Sequence, residues 1–77
     1  MNIHIRFFGS LSDLIGKSNL VVNNCTDILS VKEEMICECP QLKDCVFLIS
    51  VNNKLVKDNH PLEDGNEVAF LPPFAGG

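Results

Sequence analysis

The chain has 77 residues, 45% hydrophobic and 21% charged, and its net charge is −4. This length suits one small domain with a thin core, in which a deep enzyme cleft is not expected. The acidic balance and the single arginine, Arg6, argue against nucleic acid or an anionic membrane as the partner, because lysine and arginine dominate both kinds of binding. The longest apolar run, 45–49, is far shorter than the roughly 20 residues that span a bilayer. We therefore expect a cytoplasmic protein.

No catalytic or metal-binding role is predicted for the cysteines or for His60. Cys25, Cys37, Cys39 and Cys45 are expected to be reduced thiols, because nothing in the sequence indicates an oxidising compartment. Only one residue separates Cys37 from Cys39, and neither a second pair nor a nearby histidine completes four ligands, so no metal site is predicted. His60 is assigned to a turn, since no nucleophile or base is paired with it.

The hydrophobic pattern predicts one main helix and four or five strands. Alternation of Ile3, Ile5 and Phe7 with polar residues is typical of a half-buried strand, whereas apolar residues three to four apart are typical of an amphipathic helix. The first two strands are expected to form a hairpin, and the most apolar strand is expected to be central. In chain order the predicted elements are a strand over 1–8, a helical turn within 9–16, a strand over 19–23, a helix from 27 to 39, a turn over 41–44, strands over 46–51 and 54–56, turns at 60–62 and 64–65, and a last strand over 67–71.

The limits of the helix are marked by polar residues and a proline. Either Asp27 or Ser30 is a candidate for its N-cap, and Ser30 with Glu33 has the spacing of a capping box. Pro40 is expected to end the helix because proline lacks the backbone N–H. The acidic side chains that follow Ser30 are interpreted as a solvated helix face.

The order of elements predicts an α+β domain in which a mixed sheet of four or five strands packs one face against one helix. This is the β-grasp, or ubiquitin-like, architecture, although a ferredoxin-like fold with an undetected helix is also compatible with the pattern. We expect the folded domain to cover 1–71 and a projecting tail to cover 72–77.

Large apolar residues are predicted on the sheet face that no helix covers. Alternation places Phe8 and Leu71 there, and Leu55 on the short fourth strand joins them. A contiguous apolar group of this kind is typical of a partner surface, although isolated exposed hydrophobic residues are common in any protein.

The chain closes with a segment of unusual composition. Pro72 and Pro73 are expected to end strand pairing, and the last residues of the segment 72–77 are too small and too rich in glycine to join the core. If extended, residues 72–77 would reach roughly 20 Å beyond the sheet. Glycine at 76 and 77 would let the backbone enter a narrow channel, so that the Gly77 carboxylate could be activated as an acyl donor in another protein's active site. The alternative is an inert, frayed terminus.

Four segments of the chain occur together in one known family. They are Arg6-Phe7-Phe8-Gly9, the strand and turn from Val51 to Val56, the run from His60 to Pro73, and the final Gly76-Gly77. In these segments the chain resembles the sulfur-carrying small subunits of molybdopterin synthase, ubiquitin-like proteins of the molybdenum-cofactor pathway.

The resemblance implies a cycle that centres on Gly77. An E1-like enzyme would use ATP to adenylate it, a sulfur source would convert it to a thiocarboxylate, and the sulfur would pass to cyclic pyranopterin monophosphate. The chain would then be a non-catalytic subunit that binds no cofactor, in a heterotetramer of two small and two large subunits. Partner contacts are implied at Phe8, Leu55, Leu71, Pro72, Pro73, Phe74 and Ala75, with Gly76 threading the channel.

Three other functions stay open at this point. The thiamine-pathway sulfur carrier also ends in Gly-Gly, and a ubiquitin-like protein modifier would use the same activated carboxylate to join a lysine. A plain interaction domain with an inert tail would need no activation of the C-terminal carboxylate.

Overall fold

The computed structural model describes residues 1–73, and the predicted positions Phe74, Ala75, Gly76 and Gly77 lie outside them. The predicted order of elements is confirmed, with strand limits that differ by a few residues. The elements are β1 Ile3–Phe7, α1 Ser10–Ile15, β2 Asn19–Val22, α2 Ile28–Glu38, a 3₁₀ helix Pro40–Asp44, β3 Leu48–Val51, β4 Lys54–Val56 and β5 Glu67–Leu71.

The five strands form one mixed sheet in the order β2-β1-β5-β3-β4. β1 and β2 pair antiparallel as the predicted hairpin, β1 and β5 pair parallel, and β3 pairs antiparallel with both β4 and β5. The prediction that the segment 46–51 is central is therefore wrong: β5 occupies the middle, and Val46, ahead of β3, is 74% exposed. Apolar content signals burial, but the position of a strand depends on which distant strands pair with it.

The core lies between the sheet and α2. Ile28, Val31 and Met35 of the helix belong to the same buried cluster as the inward residues of β1 and β5, as their spacing predicts. Phe70 is fully buried, and its ring centroid lies 5.2 Å from that of Phe7 and 5.1 Å from that of Phe47. One main helix on one face of a five-stranded mixed sheet confirms the predicted β-grasp architecture.

The start of α2 is stabilised by side chains from the helix start itself and from a distant segment of the chain. Asp27 is the N-cap: its Oδ1 accepts from the Ser30 N–H at 2.8 Å, while Ser30 Oγ accepts from the Asp27 N–H at 3.2 Å. The capping box thus joins Asp27 to Ser30, and the predicted pairing of Ser30 with Glu33 is wrong because Ser30 already lies inside the helix. Asn59 adds a bond from its Nδ2 to Asp27 Oδ2 and accepts from the Leu29 N–H.

The end of α2 and the next connection follow the proline. The helix ends at Glu38, as the position of Pro40 predicts. The segment predicted as a turn over 41–44 is a short 3₁₀ helix that begins at Pro40 and buries Leu42. The longest helix of residues 1–73, α2, has 11 residues, and no helix in this part of the chain is long and apolar enough to cross a membrane.

Tight turns precede β4 and β5, the two strands that pair with β3. Asn52 and Asn53 connect β3 to β4 with φ angles of 49° and 70°, a left-handed region that asparagine tolerates better than most residues. Asn52 is bonded to the start of β5 twice, since its N–H donates to the Glu67 carbonyl and its Oδ1 accepts from the Glu67 N–H. Gly65, in the predicted Asp-Gly turn, has a φ of 86°.

Candidate docking face and the carboxyl-terminal exit

The sheet face opposite α2, here called the open face, is ordered by strand register. Leu48 of β3 lies opposite Leu71 of β5. In the next row Ser50 lies between Leu55 of β4 and Ala69 of β5. Leu48 and Ser50 of β3 and Ala69 and Leu71 of β5 alternate with buried, helix-facing residues of their strands, so these four side chains point to the uncovered side. Leu55 of β4 is paired with Ser50 and points to the same side.

An apolar patch of four large side chains surrounds a shallow depression on this face. The patch consists of Phe8, Leu48, Leu55 and Leu71. Leu55 is 64% exposed, Leu48 42% and Phe8 37%, while Leu71 is half-buried. The depression has a volume of about 350 Å³, and the two small buried residues Ser50 and Ala69 lie between the larger side chains that line it. Exposed leucine and phenylalanine around a small-residue floor are typical of a surface that another protein covers.

One cation lies beside the apolar patch. The Arg6 guanidinium is 5.1 Å from the centroid of the Phe8 ring and 3.7 Å from the carboxylate of Glu67. Both charged side chains are well exposed, so the ion pair itself contributes little to stability. Its effect is to hold the guanidinium against Phe8, which gives the patch a polar margin.

The structure brings three of the predicted contact residues together and adds a fourth. Phe8, Leu55 and Leu71 share the open face, as alternation indicates. Sequence reasoning missed Leu48, because every residue of 46–51 except Ser50 is apolar and one polar residue is a weak signal of alternation. The observation that Ile49 is buried, combined with a period of two, would have placed Leu48 on the open face. That these side chains contact a partner stays a prediction.

The patch adjoins the point where the chain leaves the sheet. β5 ends at Leu71, Pro72 is half-buried and Pro73 is exposed. The predicted roles of Phe74 to Gly77 fall outside the described residues.

Two other candidate reactive groups, Cys25 and His60, do not line the depression. Cys25 is buried, and burial is the main cause that raises the pKa of its thiol, with the charges of Glu34 and Asp27 adding to the effect. The thiol is therefore protonated at neutral pH. The predicted turn at 60–62 is wrong, because Pro61 forms an antiparallel bridge with Asp27; His60 precedes this bridge, and its Nδ1 is 2.7 Å from the Pro61 carbonyl oxygen. Within residues 1–73, no three histidine, cysteine or acidic side chains form a group that could hold a metal ion.

Comparison with known proteins places these features in a family. The ThiS family model matches residues 5–77. The molybdopterin synthase sulfur carrier subunit of Escherichia coli is 34% identical over 80 residues, covering 97% of this chain and 99% of that protein. A solved complex of subunits 1 and 2 of the molybdopterin-converting factor from Helicobacter pylori matches over the full length of both chains, with 31% identity and a TM-score of 0.75.

A likeness to a third protein concerns the fold alone. The small archaeal modifier protein 1 from Methanosarcina acetivorans is 20% identical, with a TM-score of 0.84 over 99% of this chain and 96% of its own. The family match over residues 5–77 and the identity to the Escherichia coli subunit are more specific. The chain therefore belongs to the ThiS family, together with relatives that are sulfur carrier subunits of molybdopterin synthase.

Proposed function

We propose that this protein is the sulfur carrier subunit of a molybdopterin synthase, which docks on the large subunit through the apolar patch and carries sulfur on Gly77. The observation that supports this most is the position of the patch: it lies on the face that α2 leaves open and includes Leu71, the last residue of β5, so docking would bring the following residues to the partner.

Docking on the open face has a clear physical basis. The exposed parts of Phe8, Leu48 and Leu55 would leave water, and burial of apolar area is the main driving force for such association. The depression over Ser50 and Ala69 would accept an apolar side chain of the partner. The large subunit is the proposed partner because the Helicobacter pylori relative was solved as a complex with its subunit 2. We extend the proposal to a heterotetramer of two small and two large subunits.

The proposed chemistry takes place at the C-terminal carboxylate. In an E1-like enzyme a Gly77 carboxylate oxygen attacks the α-phosphorus of ATP, and pyrophosphate leaves. A sulfide nucleophile then attacks the carbonyl carbon of the acyl-adenylate, AMP leaves, and a thiocarboxylate forms. In the large subunit the thiocarboxylate sulfur attacks a side-chain carbon of the pterin precursor, cyclic pyranopterin monophosphate, and displaces an oxygen substituent from that carbon, so that a thioester links carrier and precursor. Water cleaves the resulting acyl–sulfur bond, so the sulfur stays on the precursor and the Gly77 carboxylate is restored.

The test is intact-mass analysis of the carrier after incubation with the pathway's adenylating enzyme, ATP and sodium sulfide. Replacement of one oxygen by sulfur should add about 16 Da. Subsequent addition of the large subunit and cyclic pyranopterin monophosphate should remove that mass again. A chain without Gly76 and Gly77 is the control and should gain nothing. If a known carrier is charged in the same mixture and this chain is not, the proposal is wrong.

Charging of Gly77, combined with binding and conjugation measurements, separates the other candidate functions. Charging without any transfer in the presence of the large subunit, together with binding to a thiazole synthase, would assign the chain to the thiamine pathway. Higher-mass conjugates that disappear when Gly77 is deleted would identify a protein modifier. No described residue favours either function over molybdopterin synthesis.

A further inference from the structure

The first residue after β5, Pro72, lies against a glycine that has little room for a side chain. Gly9, between β1 and α1, has φ 57° and ψ −134°, a backbone conformation that other residues rarely adopt. A Cβ atom added to Gly9 would lie 3.1 Å from Cγ and 3.8 Å from Cδ of Pro72. The half-buried proline ring therefore occupies the space into which a side chain at position 9 would project.

Gly9 itself is held in place on both sides. Its carbonyl oxygen accepts from the Ser12 N–H at 3.1 Å and from Ser12 Oγ at 2.8 Å, at the start of α1. The preceding residue, Phe8, donates its N–H to the Phe70 carbonyl at 3.1 Å, which ties this loop to β5 two residues before Pro72. A Cβ at position 9 would therefore require the Pro72 ring to shift by a few tenths of an ångström.

Movement of Pro72 would be transmitted to the chain that follows it. A change of ring pucker moves Cγ by itself, but because the pyrrolidine ring includes the backbone nitrogen and restricts φ, any larger shift of the ring also moves the main chain. The contact between Gly9 and Pro72 is therefore placed where it can influence the direction in which the backbone leaves the sheet. It also lies outside the depression lined by the apolar patch, so that docking and tail direction are separable.

We infer that Gly9 is a positioning residue for sulfur transfer: its lack of a side chain lets Pro72 pack against the β1–α1 loop, and this packing directs the tail that carries Gly77. The inference rests on the proposed function and deepens it, because it assigns delivery of the reacting group to a contact that is distinct from the docking patch.

The test compares Gly9→Ala with Gly16→Ala in the full chain. Gly16 has a φ of 82°, so alanine is strained there as well, but a Cβ at Gly16 would meet nothing within 4 Å. Two quantities are measured for each thiocarboxylated variant: the dissociation constant for the large subunit and the single-turnover rate of sulfur transfer. We expect Gly9→Ala to slow transfer by about three- to tenfold, because a misplacement of 1 Å can cost about a hundredfold in rate and the shift expected here is a few tenths of an ångström. Its dissociation constant should stay within about twofold of the control. Gly16→Ala should transfer at the wild-type rate.

A double variant distinguishes the contact from backbone strain. Pro72→Ala removes the Cγ and Cδ atoms that the new Cβ would meet and needs no unusual φ, so it is informative even if Gly9→Ala folds poorly. Pro72→Ala alone should slow transfer, and adding Gly9→Ala to it should slow transfer little further.

Three results would overturn the inference. They are equal transfer rates for Gly9→Ala and Gly16→Ala, additive effects in the double variant, or a wild-type transfer rate for Pro72→Ala. Failure of the wild-type chain to be charged or to transfer would instead refute the proposed function, so the two failures are distinguishable.

Discussion

Replacing Leu55 with alanine should weaken docking on the large subunit without unfolding the carrier. Full burial of a leucine side chain contributes about 1.5–3 kcal/mol, and Leu55 is 64% exposed, so covering it on docking should contribute about 1–2 kcal/mol. This corresponds to an increase of about five- to thirtyfold in the dissociation constant, measurable by isothermal titration calorimetry. Because the side chain is largely exposed, the free energy of unfolding should change by less than about 0.5 kcal/mol.

The chain offers a matched control for this experiment. Leu29, on α2 and therefore on the other layer of the molecule, is 53% exposed. Leu29→Ala removes the same atoms from a surface that the proposed partner does not cover, so its dissociation constant should equal that of the wild type. If Leu55→Ala and Leu29→Ala bind equally well, the open face is not the docking surface and the reasoning from the apolar patch fails.

Two further predictions concern the fold that supports this face. The Ser30 N–H, the Asn59 side chain and the Ser30 side chain hold the pKa of Asp27 below its ordinary value of about 3.9. The carboxylate therefore stabilises the fold above that pH and loses this effect as the pH falls through its lowered pKa. In thermal unfolding from pH 5 to 2, Asp27→Asn should show a weaker loss of stability than the wild type, and identical profiles would contradict the assignment. Phe70→Ala should destabilise the protein by about 3–5 kcal/mol in urea unfolding, because Phe70 is fully buried between two rings. A loss below about 1 kcal/mol would show that the core packs otherwise.

Some features of this protein follow from the sequence because they depend on neighbouring residues. The alternation of Ile3, Ile5 and Phe7 and the helical spacing of Val31 and Met35 identify β1 and α2 with the correct buried faces. Pro40 marks the end of α2, since the missing N–H is a property of that residue alone. The order of elements predicted the β-grasp architecture, with a ferredoxin-like fold as the alternative, and alternation within the strands predicted Phe8 and Leu71 on the uncovered face, where Leu55 was expected to join them.

Other features were decided by contacts between distant parts of the chain. The position of β5 in the middle of the sheet depends on its pairing with β1 and β3, and Asn59 reaches the start of α2 from 32 residues beyond Asp27. The same holds for the apolar patch: Leu48 joins it because β3 is in register with β5, which no local pattern in 46–51 shows. Periodicity assigns a residue to one side of its own element. Only the packing of the elements determines which residues share a surface, and it is this packing that brings Pro72 against Gly9.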